Sequence, residues 1–305
     1  MRVAAIDCGT NSIRLLIADV DGGGLTDVVR VMKVVRLGEG VDVSGSLSPA
    51  AIERTWDAVS DYAAQIRAAG AQAVRMVATS ASRDADNADV FVDGVLARLG
   101  EVPEVISGDE EAALSFAGAV SVLDVPGRVA VVDIGGGSTE FVVGDSRVGA
   151  SVSENVGCVR MTERHLRTDP PTSAEIDAAT TDIDAAVSHA MAVTGFDTAE
   201  RIVGLAGSVT TVAALAMGLP EYDSARIHGS RISAREVHEV TAQMLAATRA
   251  QRAAEPVMHP GRVDVIGGGA LVLDRILTLG GFDEVIVSEH DILDGIALSL
   301  AARAQ

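Results

Sequence analysis

Residues 131–143 read V-V-D-I-G-G-G-S-T-E-F-V-V. A valine-rich run ends in Asp133, a glycine turn carrying Ser138 and Thr139 follows, and after Glu140 a second apolar run leaves. Two short apolar runs flanking a glycine turn predict a β-hairpin. Residues 5–17, A-I-D-C-G-T-N-S-I-R-L-L-I, repeat the arrangement without a gap. Asp7 falls on Asp133, Gly9 on Gly135, Ser12 on Ser138 and Arg14 on Glu140. One hairpin is written twice.

Working outward, Asp21-Gly22-Gly23-Gly24 turns the first hairpin into a third extended run, Leu25 to Leu37. Ser48-Pro49 opens a helix whose apolar positions are Ile52, Trp56, Val59, Ala63 and Ile66, and Gly70 closes it. A strand at Val74 to Ala78, a loop from Thr79 to Arg83, a helix at about Ala88 to Leu99 and a strand at Glu104 to Ile106 complete a βββαβαβ pattern. Ser107 to Glu111 then begins a helix with Asp109, Glu110 and Glu111 at its positive end, and Glu110 reads as a structural capping residue. The pattern restarts at Val129 with strand, turn, strand, a turn at Gly144-Asp145-Ser146, and a strand to about Val156. Thr172 with Glu175 forms a capping box before a helix with Ile176, Ile183 and Val187 on its apolar face. A buried strand at Arg201 to Leu205 is followed by Gly207 to Thr211, read as a turn into another helix. Helices at about Ala234 to Arg249 and Arg262 to Leu279, a strand at Glu284 to Val287 and a last helix from Ile292 complete the chain. No linker rich in Pro, Gly or Ser separates the halves, so they are expected to touch across a cleft.

The 305 residues suffice for two domains of roughly 150 each. An apolar fraction of 48% against 22% charged residues predicts a globular chain rather than a disordered one. The longest uncharged stretch, Ile202 to Pro220, contains Gly204, Gly207, Ser208, Thr210, Thr211 and Gly218, which suit a strand, turn and helix better than a membrane span. Asp7 interrupts the first apolar run, so no signal peptide and a cytoplasmic location are expected. Cys8 and Cys158 lack paired spacing and read as small semi-buried residues beside turns. The six histidines form no metal-ligand pattern. A net charge of −19 opposes binding to a nucleic-acid backbone, so an anionic ligand has to be gripped locally. Lys33 is the only lysine among 24 basic residues, which leaves arginine, backbone N–H groups and metal for that task. The arginine bias is equally consistent with the base composition of the source genome.

Glycine-rich hairpin tips with hydroxyls suit phosphate, because no bulky side chain blocks close approach of the backbone. The candidates are Gly9, Thr10, Asn11 and Ser12 in the first tip and Gly135, Gly136, Gly137, Ser138 and Thr139 in the second. Gly207 and Ser208 add a third loop at a helix N-terminus. Carboxylates in such loops repel phosphate unless a cation intervenes, so Asp133 and Glu140 are expected to hold Mg²⁺. Asp7 reads equally as a metal ligand or a turn cap.

The chain resembles the exopolyphosphatase and guanosine pentaphosphate phosphatase family, within the actin, sugar-kinase and Hsp70 superfamily. The resemblance rests on residues 5–12 (A-I-D-C-G-T-N-S), 35–40 (V-R-L-G-E-G), Ala78 to Ala81 with Arg83, and 106–112 (I-S-G-D-E-E-A). It continues through Asp133 to Glu140, Gly157 to Arg160 with Thr162-Glu163, Gly207 to Thr211, and 260–264 (P-G-R-V-D). It implies a duplicated, two-lobed α/β fold of the ribonuclease H-like type with its active site between the lobes. The first domain is expected over 1–122 with 288–305, the second over 123–287. Glu111 is implied as the base that activates water, while Asp133 and Glu140 position Mg²⁺ (or Mn²⁺) and the attacking water. At a helix N-terminus such a carboxylate is a weak base unless burial or the neighbouring Glu110 offsets the dipole.

Arg83 and Asn11 match family positions at the phosphate site, and Lys33 and Arg14 would add positive charge there. Arg14 reads equally as a solvated strand residue. The implied reaction is hydrolysis of a terminal phosphoanhydride of inorganic polyphosphate by water, releasing orthophosphate without a covalent intermediate. Many relatives carry long C-terminal helical domains beyond the point where this sequence stops, so short chains are the expected substrates. Ser208 stands where many members have Thr, and Gly267-Gly268-Gly269 has no assigned role. A homodimer is expected by family analogy. The alternatives are a guanosine pentaphosphate 5'-phosphohydrolase, an ATP-dependent kinase of the same superfamily, and a non-enzymatic sensor of guanosine tetraphosphate, against which intact Glu111 and Glu140 argue.

Overall fold

The computed structural model describes residues 1–21, 24–121, 123, 127–145 and 147–303, so the expected turn residues Gly22, Gly23 and Ser146 lie outside the described residues. The chain divides into two units, Met1–Gly118 with Ile292–Gln305, and Ala119–Asp291. In the first unit β1 (Arg2–Cys8), β2 (Ser12–Asp21), β3 (Gly24–Val34), β4 (Ala73–Ala78) and β5 (Glu104–Val105) form one sheet in the order β3-β2-β1-β4-β5. The first three strands are antiparallel, and β4 runs parallel to both β1 and β5. In the second unit β6 (Val129–Ile134), β7 (Thr139–Gly144), β8 (Val148–Glu154), β9 (Arg201–Leu205), β10 (Arg231–Ser233) and β11 (Glu284–Val287) are ordered β10-β11-β9-β6-β7-β8. Read from β8 inward, this is the order of the first sheet with one short antiparallel edge strand, β10, added beyond β11. The fold is a duplicated mixed-sheet α/β architecture.

The central strands read as continuous apolar runs because both of their faces are covered. On one face of the first sheet Ala4, Ile6, Cys8, Ile13, Leu15 and Ile17 share a core with Ile52, Val59, Tyr62 and Ile66 of helix Pro49–Ala69. On the other face Val3, Ala5, Leu16 and Ala18 meet Ile292, Leu293, Ile296 and Leu300 of the last helix, Ile292–Arg303. That helix is fixed to the first unit by polar contacts as well. Arg30 of β3 reaches the fully buried Asp294 at 2.5 Å, and Arg75 of β4 donates to Ser299 Oγ at 2.9 Å. Gly295 lies directly on the main chain of helix Gly108–Val120, where an added Cβ would stand 2.0 Å from Leu114 O.

Local signals fixed several helix ends. Ser48 accepts a hydrogen bond from Ala51 N, Pro49 occupies the first turn, and Gly70 closes the helix at φ 68°. The Thr172–Glu175 capping box is formed, and hydrogen bonds from the Thr168 hydroxyl and Thr172 N–H hold the Glu175 carboxyl down to about 2. Other boundaries differ from expectation. The helix from Ala234 ends at Ala246, because Thr248 and Gln251 build a second capping box and start helix Arg249–Ala253. The helix expected from Arg262 begins at Ile266. Residues 79–83 are not a plain loop: Ser80–Arg83 forms one helical turn. Helix Cys158–Arg164 was not expected, being too short to show an apolar period. Among the described residues no helix is long and apolar enough to cross a membrane.

The Gly267-Gly268-Gly269 run is helical and buried within Ile266–Gly280. An added Cβ on Gly268 would lie 2.8 Å from Cys158 O and Thr162 Oγ1, and one on Gly269 would lie 2.2 Å from Ser208 Oγ. These glycines therefore allow the helix to close on Cys158–Arg164 and Ala206–Ala216; they are a packing surface rather than a nucleotide loop.

The Gly295 contact yields an opposing-sign test. Helix propensity favours alanine over glycine by about 1 kcal/mol, but overpacking against a backbone carbonyl typically costs about 1–3 kcal/mol. Gly295→Ala is therefore expected to lower the urea midpoint of the protein. An unchanged or raised midpoint would show that the two helices separate without cost.

Candidate active site

The duplicated hairpins share register as well as sequence. Across β1 and β2, Cys8 pairs with Ile13 and Asp7 with Arg14. Across β6 and β7, Ile134 pairs with Thr139 and Asp133 with Glu140. Each tip is closed by the same bond: Gly9 N donates to Ser12 O at 3.0 Å, and Gly135 N to Ser138 O at 3.0 Å. The glycines at the tips do not serve a left-handed backbone, since none of Gly9, Gly135, Gly136 or Gly137 has positive φ. A Cβ on Gly9 would meet Ser12 O at an ordinary 3.6 Å, whereas one on Gly135 would lie a tight 3.1 Å from Ser138 O. A Cβ on the facing Gly157 would stand 2.5 Å from Gly136 O.

A second chain segment braces each tip through the backbone. In the first unit Val35 N and Arg36 N donate to Asn11 O at 3.0 and 2.8 Å, and Gly38 N donates to Thr10 O at 2.9 Å. In the second, Cys158 N donates to Gly135 O at 3.0 Å, and Val159 N and Arg160 N donate to Gly136 O at 2.9 and 3.1 Å. Arg160 adds its side chain, with Nε donating to Gly137 O at 2.7 Å.

Within the first unit the structure brings the tip, Arg83 and Glu111 into one chain of contacts. The Thr10 and Ser80 hydroxyls share a 2.8 Å hydrogen bond, and Ser80 starts the helical turn that ends at Arg83. Arg83 Nη1 donates to Ile106 O at 3.0 Å and to Glu111 Oε2 at 3.1 Å. Glu111 is buried in the first turn of helix Gly108–Val120. Glu110 does not cap this helix with its side chain. Ser107 Oγ accepts from Glu110 N, while the Glu110 carboxylate goes to the buried Arg75 at 2.6 Å, which it shares with Glu104.

Asp7 is also buried, and its Oδ2 accepts from Arg14 Nε at 2.9 Å and Nη2 at 2.6 Å. Arg14 is thus a half-buried partner of Asp7 rather than a solvated strand residue. Lys33 points elsewhere. Its ammonium pairs with Asp61 and lies over the Tyr62 ring, on the sheet face covered by helix Pro49–Ala69. Asp7 and Arg14 alternate onto the opposite face. Burial, followed by the charge of Asp7, pushes the Cys8 thiol up, and burial does the same for Cys158, so neither is poised as a thiolate.

In the second unit Asp133 and Glu140 are both buried and directly opposite one another. Ser153 of β8 faces Glu140 on its other side and donates its hydroxyl to Oε1 at 2.8 Å. Gly207 and Ser208 do not sit in a preceding turn. Helix Ala206–Ala216 starts where β9 ends at Leu205, and Ala206 takes up the change of direction at φ 68°, a left-handed conformation costing about 1–2 kcal/mol for a residue with Cβ. Gly207 lies beneath Arg262, where a Cβ would be 2.5 Å from Nη2, and Arg262 Nη1 donates to Thr211 Oγ1 at 2.8 Å.

Arg160 and Arg262 lie in motifs that carry the family resemblance but have no individual role there, and Ser153 falls in the third strand of the second unit with no signal of its own. Only the folded chain shows which glycine or acid each one serves.

As a metal site the second unit offers hard oxygen donors. Among the described residues no three His, Cys, Asp or Glu side chains converge on one point. Magnesium is commonly held by one or two carboxylates with the remainder supplied by water and substrate phosphate, so Asp133 and Glu140 fit it.

The family model described as "Ppx/GppA phosphatase family" matches residues 16–304. The chain is 51% identical to exopolyphosphatase 2 of Mycobacterium tuberculosis, covering 98% of each chain. It is 31% identical to guanosine-5'-triphosphate,3'-diphosphate pyrophosphatase of Vibrio campbellii, covering 99% of this chain and 57% of that protein. The crystal structure of an exopolyphosphatase-like protein superposes with a TM-score of 0.97 at 44% identity, covering 99% of this chain and 98% of the other. With the twice-built hairpin, the braces behind it and similarity along nearly the full length in agreement, the chain belongs to the Ppx/GppA phosphatase family.

Proposed function

We propose that the protein is a divalent-metal-dependent exopolyphosphatase that hydrolyses the terminal phosphoanhydride of inorganic polyphosphate and releases orthophosphate. The observation that carries this reading is the buried Asp133–Glu140 pair, one register step from the hairpin tip that holds Gly135, Gly136 and Gly137. Such a pair favours a cation, and the tip above it favours an anion. Similarity to an exopolyphosphatase at 51% identity supports polyphosphate as the anion. Buried Cys8 and Cys158, both free thiols, support a reducing, cytoplasmic setting, and the assembly proposed with this reading is a homodimer.

Each residue then has a definite task. Glu111 accepts a proton from water as the water oxygen attacks the terminal phosphorus, and the bridging P–O bond breaks with its electron pair leaving on the shortened chain. Arg83 orients the Glu111 carboxylate through the 3.1 Å bond and adds positive charge for the phosphoryl oxygens. Backbone N–H groups from Thr10 to Ser12, from Gly136 to Thr139 and at the helix start at Gly207 and Ser208 receive phosphate oxygens, while those of Gly9 and Gly135 stay in the bonds that close the tips. Asp133 and Glu140 would hold Mg²⁺ or Mn²⁺, whose contribution is to neutralise charge on the phosphates. Asp7 acts through Arg14, keeping that guanidinium beside the first tip. Lys33 is left to its surface pair with Asp61. The domains proposed with this reading are 1–122 with 288–305, and 123–287, where the contacts divide the chain at Gly118/Ala119 and at Asp291/Ile292.

Guanosine pentaphosphate hydrolysis is the second reading, favoured by similarity to the Vibrio campbellii enzyme over 99% of the chain.

Phosphate release from defined polyphosphates and from guanosine pentaphosphate tests both readings together. The wild type is expected to turn over polyphosphate faster, and the reverse ranking selects the second reading. Glu111→Gln is expected to lose about 10²–10⁴-fold in kcat, the usual contribution of a general base, with substrate binding retained. Release at the wild-type rate by that variant would remove Glu111 from the mechanism.

Charge generates a further expectation. A chain of net charge −19 repels a polyanion over about 10 Å at 0.1 M salt. At constant free Mg²⁺, kcat/KM for tripolyphosphate is therefore expected to rise with KCl concentration. A steep fall would mean that a local basic field, not the overall charge, governs encounter.

A further inference from the structure

We infer that Ser153 is a positioning residue for Glu140: its hydroxyl holds one carboxylate oxygen and so orients the whole group toward metal and water. The inference rests on the reading of Asp133 and Glu140 as the metal-holding pair. Its basis is a comparison of the two copies of the hairpin, strand by strand. In the first unit the residues in line across the sheet are Met32, Arg14, Asp7 and Val77. In the second they are Ser153, Glu140, Asp133 and Leu205. The aspartate and the apolar neighbour are kept. The two outer positions change together, from a guanidinium beside a thioether to a carboxylate beside a hydroxyl.

The pairing of these changes has a physical reason. Arg14 is fixed by its own bidentate grip on Asp7, with both Nε and Nη2 on one oxygen. Glu140 faces a like charge at the equivalent place, so attraction across the hairpin does not set its orientation. Its side chain has three torsions, and its carboxylate can rotate about the last of them at little energy. The Ser153 hydroxyl supplies one proton, and its 2.8 Å bond to Oε1 removes that rotation. Fixing Oε1 fixes the carboxylate plane, and the position of Oε2 follows. Glu140 is 1% exposed, so water does not compete effectively for the same hydrogen bond. A hydroxyl on the adjacent strand, directly opposite in register, is the shortest side chain that can perform this task.

The test uses Ser153→Ala, Ser153→Thr and, as a control, Ser151→Ala, which alters the same strand two residues earlier opposite Val142. Mn²⁺ affinity is measured without substrate by electron paramagnetic resonance, alongside kcat, KM for tripolyphosphate and the thermal midpoint. Ser153→Ala is expected to weaken Mn²⁺ binding by about 10–100-fold, the range typical of lost partners behind a metal ligand, and to lower kcat far more than it raises KM at saturating metal. Ser153→Thr, which keeps the hydroxyl, restores both, and Ser151→Ala matches the wild type. Unchanged Mn²⁺ affinity and kcat in Ser153→Ala overturns the inference. Equal impairment of the Ala and Thr variants, or losses that track a lowered thermal midpoint in all three, also overturns it, because packing rather than the hydrogen bond would then be responsible. Failure of the wild type itself to bind Mn²⁺ removes the underlying reading of the acid pair and this assignment with it. Binding that is present in the wild type and intact in Ser153→Ala removes only the role of Ser153.

Discussion

Two carboxylates placed opposite one another across an antiparallel ladder, with almost no water around them, form the constraint on which the second unit depends. Like charges in directly opposed positions destabilise a sheet, and burial sharpens the effect. The arrangement persists because β6 and β7 are held in a single register by apolar residues on both faces. A slip of one residue would turn Ala130, Val132, Phe141 and Val143 out of their core. The first unit builds the same ladder and resolves the conflict internally, since Arg14 stands where Glu140 stands in its counterpart. One copy thus pairs its acid with a guanidinium across the hairpin, and the other sets two acids opposite each other, the pair proposed above to hold the metal. The difference lies in side chains, on a backbone shared down to the 3.0 Å bond that closes each tip.

Main chain does most of the work of shaping those tips. Their carbonyls accept from Val35, Arg36 and Gly38 in one unit and from Cys158, Val159 and Arg160 in the other, so each tip is set by a remote segment rather than by its own side chains. The closeness of Gly157 to Gly136 is a consequence of this, as two backbones meet without room for a methyl group. The same economy recurs deeper in the second unit. Gly268 and Gly269 let one helix settle on two others, and that contact places Ser208 and Cys158 against the buried end of Ile266–Gly280. Among the described residues left-handed backbone outside glycine falls on Arg36 and on Ala206, where strand passes to helix without an intervening residue.

Much of this was legible in the sequence because the decisive signals are local. Apolar runs ending in Asp-x-Gly marked the hairpins, and Ser48-Pro49, Gly70 and the Thr172–Glu175 pair marked helix ends that formed as read. What escaped depended on partners far along the chain. Glu110 looked like a cap because it lies in a first helical turn, but Arg75, 35 residues earlier, takes its carboxylate. Lys33 looked available to phosphate because it is the sole lysine near a tip, but strand alternation turned it toward Asp61. Gly267 to Gly269 fell within the helix read over Arg262 to Leu279, but the reason for three glycines there lies in its packing on Cys158–Arg164 and Ala206–Ala216. Arg262 and Thr211 are 51 positions apart, and no spacing rule links them.

The knot formed by Arg75, Glu104, Glu110 and Ser299 has a temporal side. Ser299 belongs to helix Ile292–Arg303, so the turn that carries Glu111 acquires its full set of contacts only once that helix has emerged. Translation proceeds from the N-terminus, and by that moment residues 119–291 have already emerged. The unit begun first is therefore completed last. A chain shortened before Ile292 would keep every residue of the second unit and lose the helix that covers one face of the first sheet.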